Sequence, residues 1–281
     1  MELFKRSLLA FVIASLMALR GYKRKSLSKN GAAAAWLVGF SSIFLGMRGF
    51  LLLLFYLIGT KATKYKMDIK SKYEEMDATC RGPGQVLACS VIGIFIQTIH
   101  HIYCGKECPI DFEEFPLASS LACALIAHHA TNLADTLSSE LGILSKSDPI
   151  LITSLRRVPR GTNGGISLIG FGCSMLGGSL IGFGAYGIDA LSGLDARALA
   201  YVLFGTVLGT IGSIIDSILG ATLQATYFDE EKKVISANNS SKHRNAKWVA
   251  GIDGLSNTQV NLVSVMITSA IGFCIGPSFF R

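Results

Sequence analysis

The stretch from Ala198 to Leu223 decides the fold class, and it reads ALAYVLFGTVLGTIGSIIDSILGATL. It carries a single charged residue, Asp216, and exceeds the roughly 20 apolar residues that an α-helix needs to cross the hydrocarbon core of a bilayer. The composition of the 281-residue chain agrees, because 50% of its residues are hydrophobic and only 16% are charged, whereas about 25% are charged in an average soluble domain. The sequence therefore predicts an integral membrane protein.

Seven other apolar stretches extend this prediction to an all-α, polytopic helical bundle of about eight transmembrane spans. They cover residues 8–19, 32–45, 50–60, 85–100, 117–141, 166–187 and 260–280. Stretches 32–45 and 50–60 are shorter than a full span. They form either one long helix or a tight hairpin that turns at Gly46-Met47-Arg48-Gly49.

The positions of the lysine and arginine residues favour the hairpin. Cytoplasmic loops of membrane proteins carry an excess of positive charge, and with the hairpin most of the 26 lysines and arginines fall in loops at about 20–31, 61–84, 143–165 and 224–257. We therefore predict that residues 1–281 form one integral membrane domain with these four loops in the cytoplasm. The net charge of +7 then reflects topology, so the expected partner is the lipid bilayer and not nucleic acid. Without an organelle address, the endoplasmic reticulum or another endomembrane is the default location.

Polar side chains form a strip along the apolar stretch 117–141. His128, Asn132, Asp135 and Ser139 recur at helical spacing on one face, and Glu140 broadens it. Asn and Ser commonly join transmembrane helices by hydrogen bonds. Carboxylates inside a bilayer are costly and usually face a ligand, a partner cation or a polar interior. We therefore favour a functional site over a structural role for this strip.

The next loop contains groups suited to phosphate. Arg156, Arg157 and Arg160 run into a turn composed of Gly161, Thr162, Asn163, Gly164 and Gly165. A glycine-rich turn that opens a helix exposes backbone N–H groups to an anion, and arginine binds phosphate oxygens in bidentate fashion. The turn is not a Walker A sequence, because no GKS or GKT follows it.

Two later stretches add acidic and amide groups. Ser213 and Asp216 share a face of the stretch 198–223 with small residues that allow close helix packing, so Asp216 could meet Asp135. Asn257 and Asn261 lie one turn apart at the start of the last span. Acidic, basic and amide groups gathered at one membrane face are the inventory of a site for Mg²⁺ and phosphate.

Four motifs resemble the signature blocks of the transmembrane protein 19 family. They are ADTLSSELG at 134–142, GTNGGIS at 161–167, GSIIDSILGA at 212–221 and NTQVN at 257–261. The resemblance implies a polytopic fold, and a plant chloroplast branch of the family is a phytyl-phosphate kinase, which transfers phosphate from a nucleoside triphosphate, expected to be CTP, to an isoprenoid monophosphate. The last block often reads Asp-Asn in the family, whereas this chain has Ser256-Asn257.

If that activity carries over, the resemblance implies an isoprenoid-phosphate substrate and assigns roles to the residues above. Asp135, Glu140 and Asp216 would hold Mg²⁺ and serve phosphoryl transfer, while Arg156, Arg157, Arg160 and the turn at 161–165 would hold phosphates. His128, Asn132, Ser139, Ser213, Asn257 and Asn261 would support them. The rival readings are a transporter, whose site would lie near the bilayer midplane, and a non-catalytic membrane protein.

Cys104 and Cys108 lie in a loop on the predicted non-cytoplasmic side, where a disulfide could persist. The sequence leaves open whether these two residues are joined or remain unpaired thiols.

Overall fold

The computed structural model describes residues 2–75, 80–194, 196–236 and 246–280, and only the backbone of Glu2 and Leu3. Parts of two predicted cytoplasmic loops, residues 76–79 and 237–245, lie outside the described residues. The helices are α1 (Glu2–Lys23), α2 (Lys29–Leu45), α3 (Phe50–Lys64), α4 (Met67–Lys70), α5 (Pro83–Ala88), α6 (Val91–Tyr103), α7 (Pro116–Gly142), α8 (Leu168–Leu191), α9 (Ala198–Leu223), α10 (Asn257–Ile275) and α11 (Pro277–Phe280).

Helix α7 is the centre of the bundle and packs against α3, α6, α8, α9 and α10. Most of its residues from Ala118 to Leu137 are buried, so it has no broad lipid-facing side. Small residues allow this packing, because a Cβ atom at Gly212 of α9 would overlap the side chain of Thr131. Close approach through small residues is the usual way in which helices associate within a membrane.

Helices α8 and α9 cross at an equally close contact. Gly178 on α8 faces the carbonyl oxygen of Gly205 on α9, and a Cβ atom at either glycine would overlap the backbone of the other helix. Tyr201, Phe204 and Leu208 on α9 continue the core beside this crossing and are buried. The glycines are therefore required by the distance between the two helix axes.

Every predicted apolar stretch is helical for most of its length, but the count of about eight spans is not confirmed. Among the described residues, three helices, α8, α9 and α10, are both long and apolar enough to cross a membrane. The chain does break where the hairpin was predicted, since a short 3₁₀ turn at Met47–Gly49 separates α2 from α3. The fourth stretch is divided into α5 and α6 at Cys89 and Ser90.

The prediction of an all-α fold was incomplete, because two small antiparallel sheets lie between helices. β1 (Ile150–Leu151) pairs with β2 (Gly165–Ile166), while β3 (Thr226–Asp229) lies between β4 (Val234–Ser236) and β5 (Ala246–Ala250). These strands are short and come from the polar loops, where helical periodicity gave no signal. The structure is mostly helical, with the strands confined to two loops.

The four loops that hold most of the basic residues contact one another at one end of the bundle, which we call the basic end (loops 20–31, 61–84, 143–165 and 224–257). Ser28 N donates to Arg81 O at 3.1 Å, and Glu75 N donates to Ile235 O at 2.9 Å. Arg160 Nη1 donates to Tyr73 Oη at 2.9 Å. The turn between α2 and α3 lies at the opposite end.

Candidate functional site

A cavity of about 1360 Å³ reaches the basic end and is bounded by α1, α2, α3, α7, α9 and α10. Most of the site residues proposed from the sequence lie on its wall. They are Asp135, Ser139, Glu140, Arg160, Gly161, Thr162, Asn163, Gly164, Gly165, Asp216, Asn257 and Asn261. Four segments that are far apart in sequence therefore contribute to a single cavity.

Asp135 on α7 and Asp216 on α9 form a pair of carboxyl groups on this wall. Both are half-buried, and they are close enough to interact electrostatically. Ser213, one turn before Asp216, is within hydrogen-bonding reach of Asp135. Ser264 Oγ on α10 donates to Asp216 Oδ2 at 2.9 Å. Ser213 therefore takes part in the site through Asp135, although it does not itself line the cavity.

The start of α10 supplies the amide groups. With its amide oriented to donate, Asn261 Nδ2 lies 3.2 Å from Asp216 Oδ2 and 3.1 Å from the carbonyl oxygen of Asn257. Ser256 is the N-cap of α10 and forms a capping box with Gln259. Aspartate and serine are equally good N-caps. Serine at position 256 therefore preserves the beginning of the helix that presents Asn257 and Asn261.

Glu140 has a basic partner of its own. Lys70 Nζ lies 2.5 Å from Glu140 Oε2 and also donates to the carbonyl oxygens of Ala62 at 2.9 Å and Thr63 at 2.8 Å. Lys70 is 6% exposed, so this pair closes the end of α3 against α7. Sequence reasoning missed Lys70 because it is one of several lysines in a loop that read as solvated.

Of the three arginines, the structure brings only Arg160 to the cavity. Its guanidinium lies over the ring of Tyr73, 4.8 Å from the ring centroid, and Nη2 donates to Lys146 O at 2.6 Å. Arg156 and Arg157 are exposed and do not line the cavity. The loop turns just before these arginines at Leu155, which has a φ of 55°.

The glycine-rich turn packs against the end of α9. Gly164 has a φ of 72°, and a Cβ atom there would overlap Ala221 and the carbonyl oxygen of Ser217. Its backbone N–H groups are partly engaged already, since Thr162 N donates to Pro159 O, Gly165 N to Thr162 O and Asn163 N to Thr226 Oγ1. The turn therefore has fewer free backbone N–H groups for an anion than the sequence predicted.

The polar strip of α7 is divided in two by the structure. His128 and Asn132 are buried and do not line the cavity. Their side chains contact the carbonyl oxygen of Cys89, with His128 Nε2 at 3.1 Å and Asn132 Nδ2 at 3.2 Å. This half of the strip stabilises the break between α5 and α6, while Asp135, Ser139 and Glu140 face the cavity.

Further cations that sequence reasoning did not single out lie on the cavity wall at the basic end. Arg81 Nη2 donates to Thr63 Oγ1 at 3.1 Å, and Lys64 Nζ donates to Arg24 O at 3.0 Å. Lys64, Arg81 and Arg24 all line the cavity. They face the same space as the carboxylate pair, so the cavity offers charges of both signs.

The donor set fits Mg²⁺ only in one binding mode. Among the described residues, no group of three or more His, Cys, Asp or Glu side chains could hold a metal ion. Mg²⁺ is commonly held by one or two carboxylates together with water and the phosphate oxygens of a substrate. Asp135 and Asp216 match that mode, and Glu140 is instead paired with Lys70.

The helices and the cavity define a multi-pass integral membrane protein. Residues 12–269 match the family described as integral membrane protein DUF92. The chain belongs to this family, which is the transmembrane protein 19 family that the four sequence motifs indicated.

Three relatives show how widely the family is distributed. Protein PGR of Arabidopsis thaliana is 35% identical over 274 residues, and the match covers 94% of each chain. An uncharacterized membrane protein of Methanocaldococcus jannaschii is 33% identical over 257 residues, which cover 91% of this chain and 95% of the relative. Protein VTE6, chloroplastic, of Arabidopsis thaliana is 28% identical over 269 residues, 94% of this chain and 68% of the relative. No solved structure matches the chain.

The Cys104–Cys108 disulfide, which the sequence left open, is absent from the structure. Both residues have unpaired thiols.

Proposed function

We propose that the protein is a phosphotransferase that converts an isoprenyl monophosphate to a diphosphate with a nucleoside triphosphate, CTP being the expected donor. A substrate phosphate oxygen forms a bond to the γ-phosphorus, the bond from the γ-phosphorus to the bridging oxygen breaks, and the nucleoside diphosphate leaves. One observation carries the proposal: a single cavity joins the Asp135–Asp216 pair, cationic side chains and an apolar wall between helices.

The residues on the wall suit this reaction because phosphoryl transfer depends mainly on positioning and charge neutralisation. Asp135 and Asp216 would hold Mg²⁺, which would neutralise charge on the phosphate oxygens when bound. Arg160, Lys64 and Arg81 would orient the phosphates of the two substrates. No protein nucleophile is needed, since the attacking oxygen belongs to the isoprenyl phosphate.

The depth of the carboxylates supports a kinase over a transporter. Helix α7 has 27 residues and is thus about 40 Å long at a rise of 1.5 Å per residue. On the same scale Asp135 lies about 10 Å before the end of α7, and Asp216 lies about 10 Å before the end of α9. Both therefore lie in the half of their helix that ends at the basic end, about 9 Å from the middle of α7 for Asp135 and about 8 Å from the middle of α9 for Asp216. A transport site would lie at the middle.

The proposal includes the eight-span topology with the basic end in the cytoplasm, within the endoplasmic reticulum or another endomembrane. In this arrangement a water-soluble nucleotide reaches the cavity from the cytoplasm, and the isoprenoid chain stays among the helices. The contacts between the four basic loops support this arrangement, because they place one set of charged segments at one end.

The test is transfer of labelled γ-phosphate from CTP, ATP, GTP and UTP to isoprenyl monophosphates by the purified protein with Mg²⁺. We expect Asp135→Asn and Asp216→Asn each to lower the rate on the order of 100-fold, the size seen when one electrostatic contact to the transition state is removed. Asp68→Asn is the matched control, because Asp68 is exposed and lies outside the cavity.

Diphosphate that forms with the wild type and the control, but not with folded Asp135→Asn or Asp216→Asn protein, would establish the reaction. Well-folded wild-type protein that forms no product with any nucleotide would exclude it.

A further inference from the structure

The cavity continues from the carboxylate pair toward the opposite end of the bundle, and its wall changes character along α3. Gly49, Leu52 and Leu53 line the deep part, Tyr56 lies at an intermediate level, and Thr60, Thr63 and Lys64 line the part at the basic end. The wall thus passes from apolar to polar to charged along one helix. A molecule with an anionic head and an apolar chain would match this order.

The length of the apolar part follows from the level at which the head would bind. Gly59 on α3 marks that level, because a Cβ atom there would lie 3.5 Å from Cγ2 of Thr136, the neighbour of Asp135. Between Gly59 and Gly49 the helix rises about 15 Å. An extended farnesyl chain has about this length.

The deep end of the cavity is closed by rigid structure. Gly49 is packed so closely on the carbonyl oxygen of Ser42 that a Cβ atom would overlap it. Ser42 is held in turn by Gln97, with Ser42 Oγ donating to Gln97 Oε1 at 2.7 Å and Gln97 Nε2 donating to Ser42 O at 3.1 Å. The floor therefore cannot recede easily to admit a longer chain.

The remaining wall comes from α1 and α2. Ile13 and Met17 lie one helical turn apart on α1, while Val38 and Ile43 line the cavity from α2. Helix α1 packs mainly on α2. Its neighbouring residues Val12 and Leu16 are 44% and 57% exposed, so they face away from the cavity and offer matched positions for comparison.

We propose that this apolar section, the tail pocket (Ile13, Met17, Val38, Ile43, Gly49 and Leu52), binds the isoprenoid chain and sets its maximum length near that of farnesyl. The inference rests on the proposed function for the identity of the ligand, but it concerns binding and not transfer. The head group would lie among Lys64, Arg81 and the carboxylate pair, and each further isoprene unit would extend one step toward Gly49.

Substitutions at two depths test the tail pocket. The purified proteins are mixed with geranyl, farnesyl or geranylgeranyl monophosphate, and bound ligand is measured by native mass spectrometry, which requires no turnover. We expect the wild type to bind farnesyl monophosphate at least tenfold more tightly than geranyl monophosphate, with no further gain for geranylgeranyl. Met17→Trp should abolish the preference for farnesyl but retain binding of geranyl monophosphate. Ile13→Trp, which lies deeper, should have a smaller effect.

Val12→Trp and Leu16→Trp are the controls and should bind all three ligands as the wild type does. The assignment of the tail pocket is wrong if Met17→Trp weakens binding of all three monophosphates equally or has no effect on binding. It is also wrong if Leu16→Trp changes binding in the same way as Met17→Trp. If the protein selects ligands by chain length but transfers no phosphate, the tail pocket is supported and the proposed kinase activity is contradicted. If phosphate is transferred equally to monophosphates of all three chain lengths, and Met17→Trp does not change this, the kinase activity is supported and the tail pocket is contradicted.

Discussion

An ion pair with at least one buried member lies at each end of this bundle. At the basic end Lys70 pairs with Glu140 beside the cavity. At the opposite end Arg48, 2% exposed, lies 2.7 Å from Asp189, which is 1% exposed. Tyr201 Oη donates to the same carboxylate at 2.5 Å. Sequence reasoning missed Asp189 because the predicted span ended at residue 187, whereas α8 continues to Leu191.

Replacing Arg48 should be among the most destabilising single changes. Arg48→Leu leaves the carboxylate of Asp189 buried without its partner, and removing one member of a buried pair costs about 3–5 kcal/mol. Denaturant unfolding in detergent micelles measures the free energy of unfolding. Arg48→Leu combined with Asp189→Leu should recover part of the loss, since no unpaired charge remains.

Arg156→Leu is the control for this prediction, because Arg156 is exposed and its loss should change the free energy of unfolding by less than about 0.5 kcal/mol. Equal stability of Arg48→Leu and the wild type would contradict the role assigned to the buried pair.

At the scale of the element, the polar residues of α7 fall into two groups with different surroundings. His128 and Asn132 contact Cys89 O, whereas Asp135 faces the cavity about one turn further on. From the sequence these residues form one continuous strip, because helical periodicity reports a shared face but not what that face meets. The helix could be predicted, but the division of its polar face could not.

Asn132→Leu should lower the stability of the protein without affecting the candidate site. The substitution removes one of the two side-chain partners of the partly buried carbonyl of Cys89, which should lower the free energy of unfolding by about 1 kcal/mol. Phosphate transfer per folded molecule should remain near the wild-type value, in contrast to Asp135→Asn. A folded Asn132→Leu protein of normal stability that lacks transfer would show that Asn132 belongs to the site.

In other elements too, the sequence predicts features that depend on local residues but not those that depend on contacts with distant ones. The break between α2 and α3 could be predicted, because two glycines flank Met47 and Arg48 and basic residues lie on either side of the hairpin. The break between α5 and α6 at Cys89 and Ser90 could not, since no proline or glycine marks it and its stabilising contacts come from α7. Arg160 likewise could not be distinguished from Arg156 and Arg157, because the fold of the loop decides which side chain reaches the cavity.

At the scale of the whole molecule, the structure separates two chemically different ends. Leu155, in a loop of the basic end, is 79% exposed, and Lys106 is exposed in the loop that joins α6 to α7. If the bundle spans the membrane as proposed, these two positions lie on opposite sides of it.

Labelling of single cysteines in sealed endoplasmic reticulum vesicles tests the topology. In a background without other cysteines, Leu155→Cys should react with a membrane-impermeant maleimide in intact vesicles, because the proposed topology puts the basic end in the cytoplasm. Lys106→Cys should react only after detergent opens the vesicles. Reaction of both positions in intact vesicles would contradict the eight-span topology.

The burial of α7 also has a consequence for biogenesis. Among the described residues, α7 is not one of the three helices that are long and apolar enough to cross a membrane, and it carries Asp135 and Glu140 in its second half. It also emerges from the ribosome before α8, α9 and α10, the partners that cover it. We therefore expect the stable insertion of α7 to depend on these three later helices, which cover its polar residues.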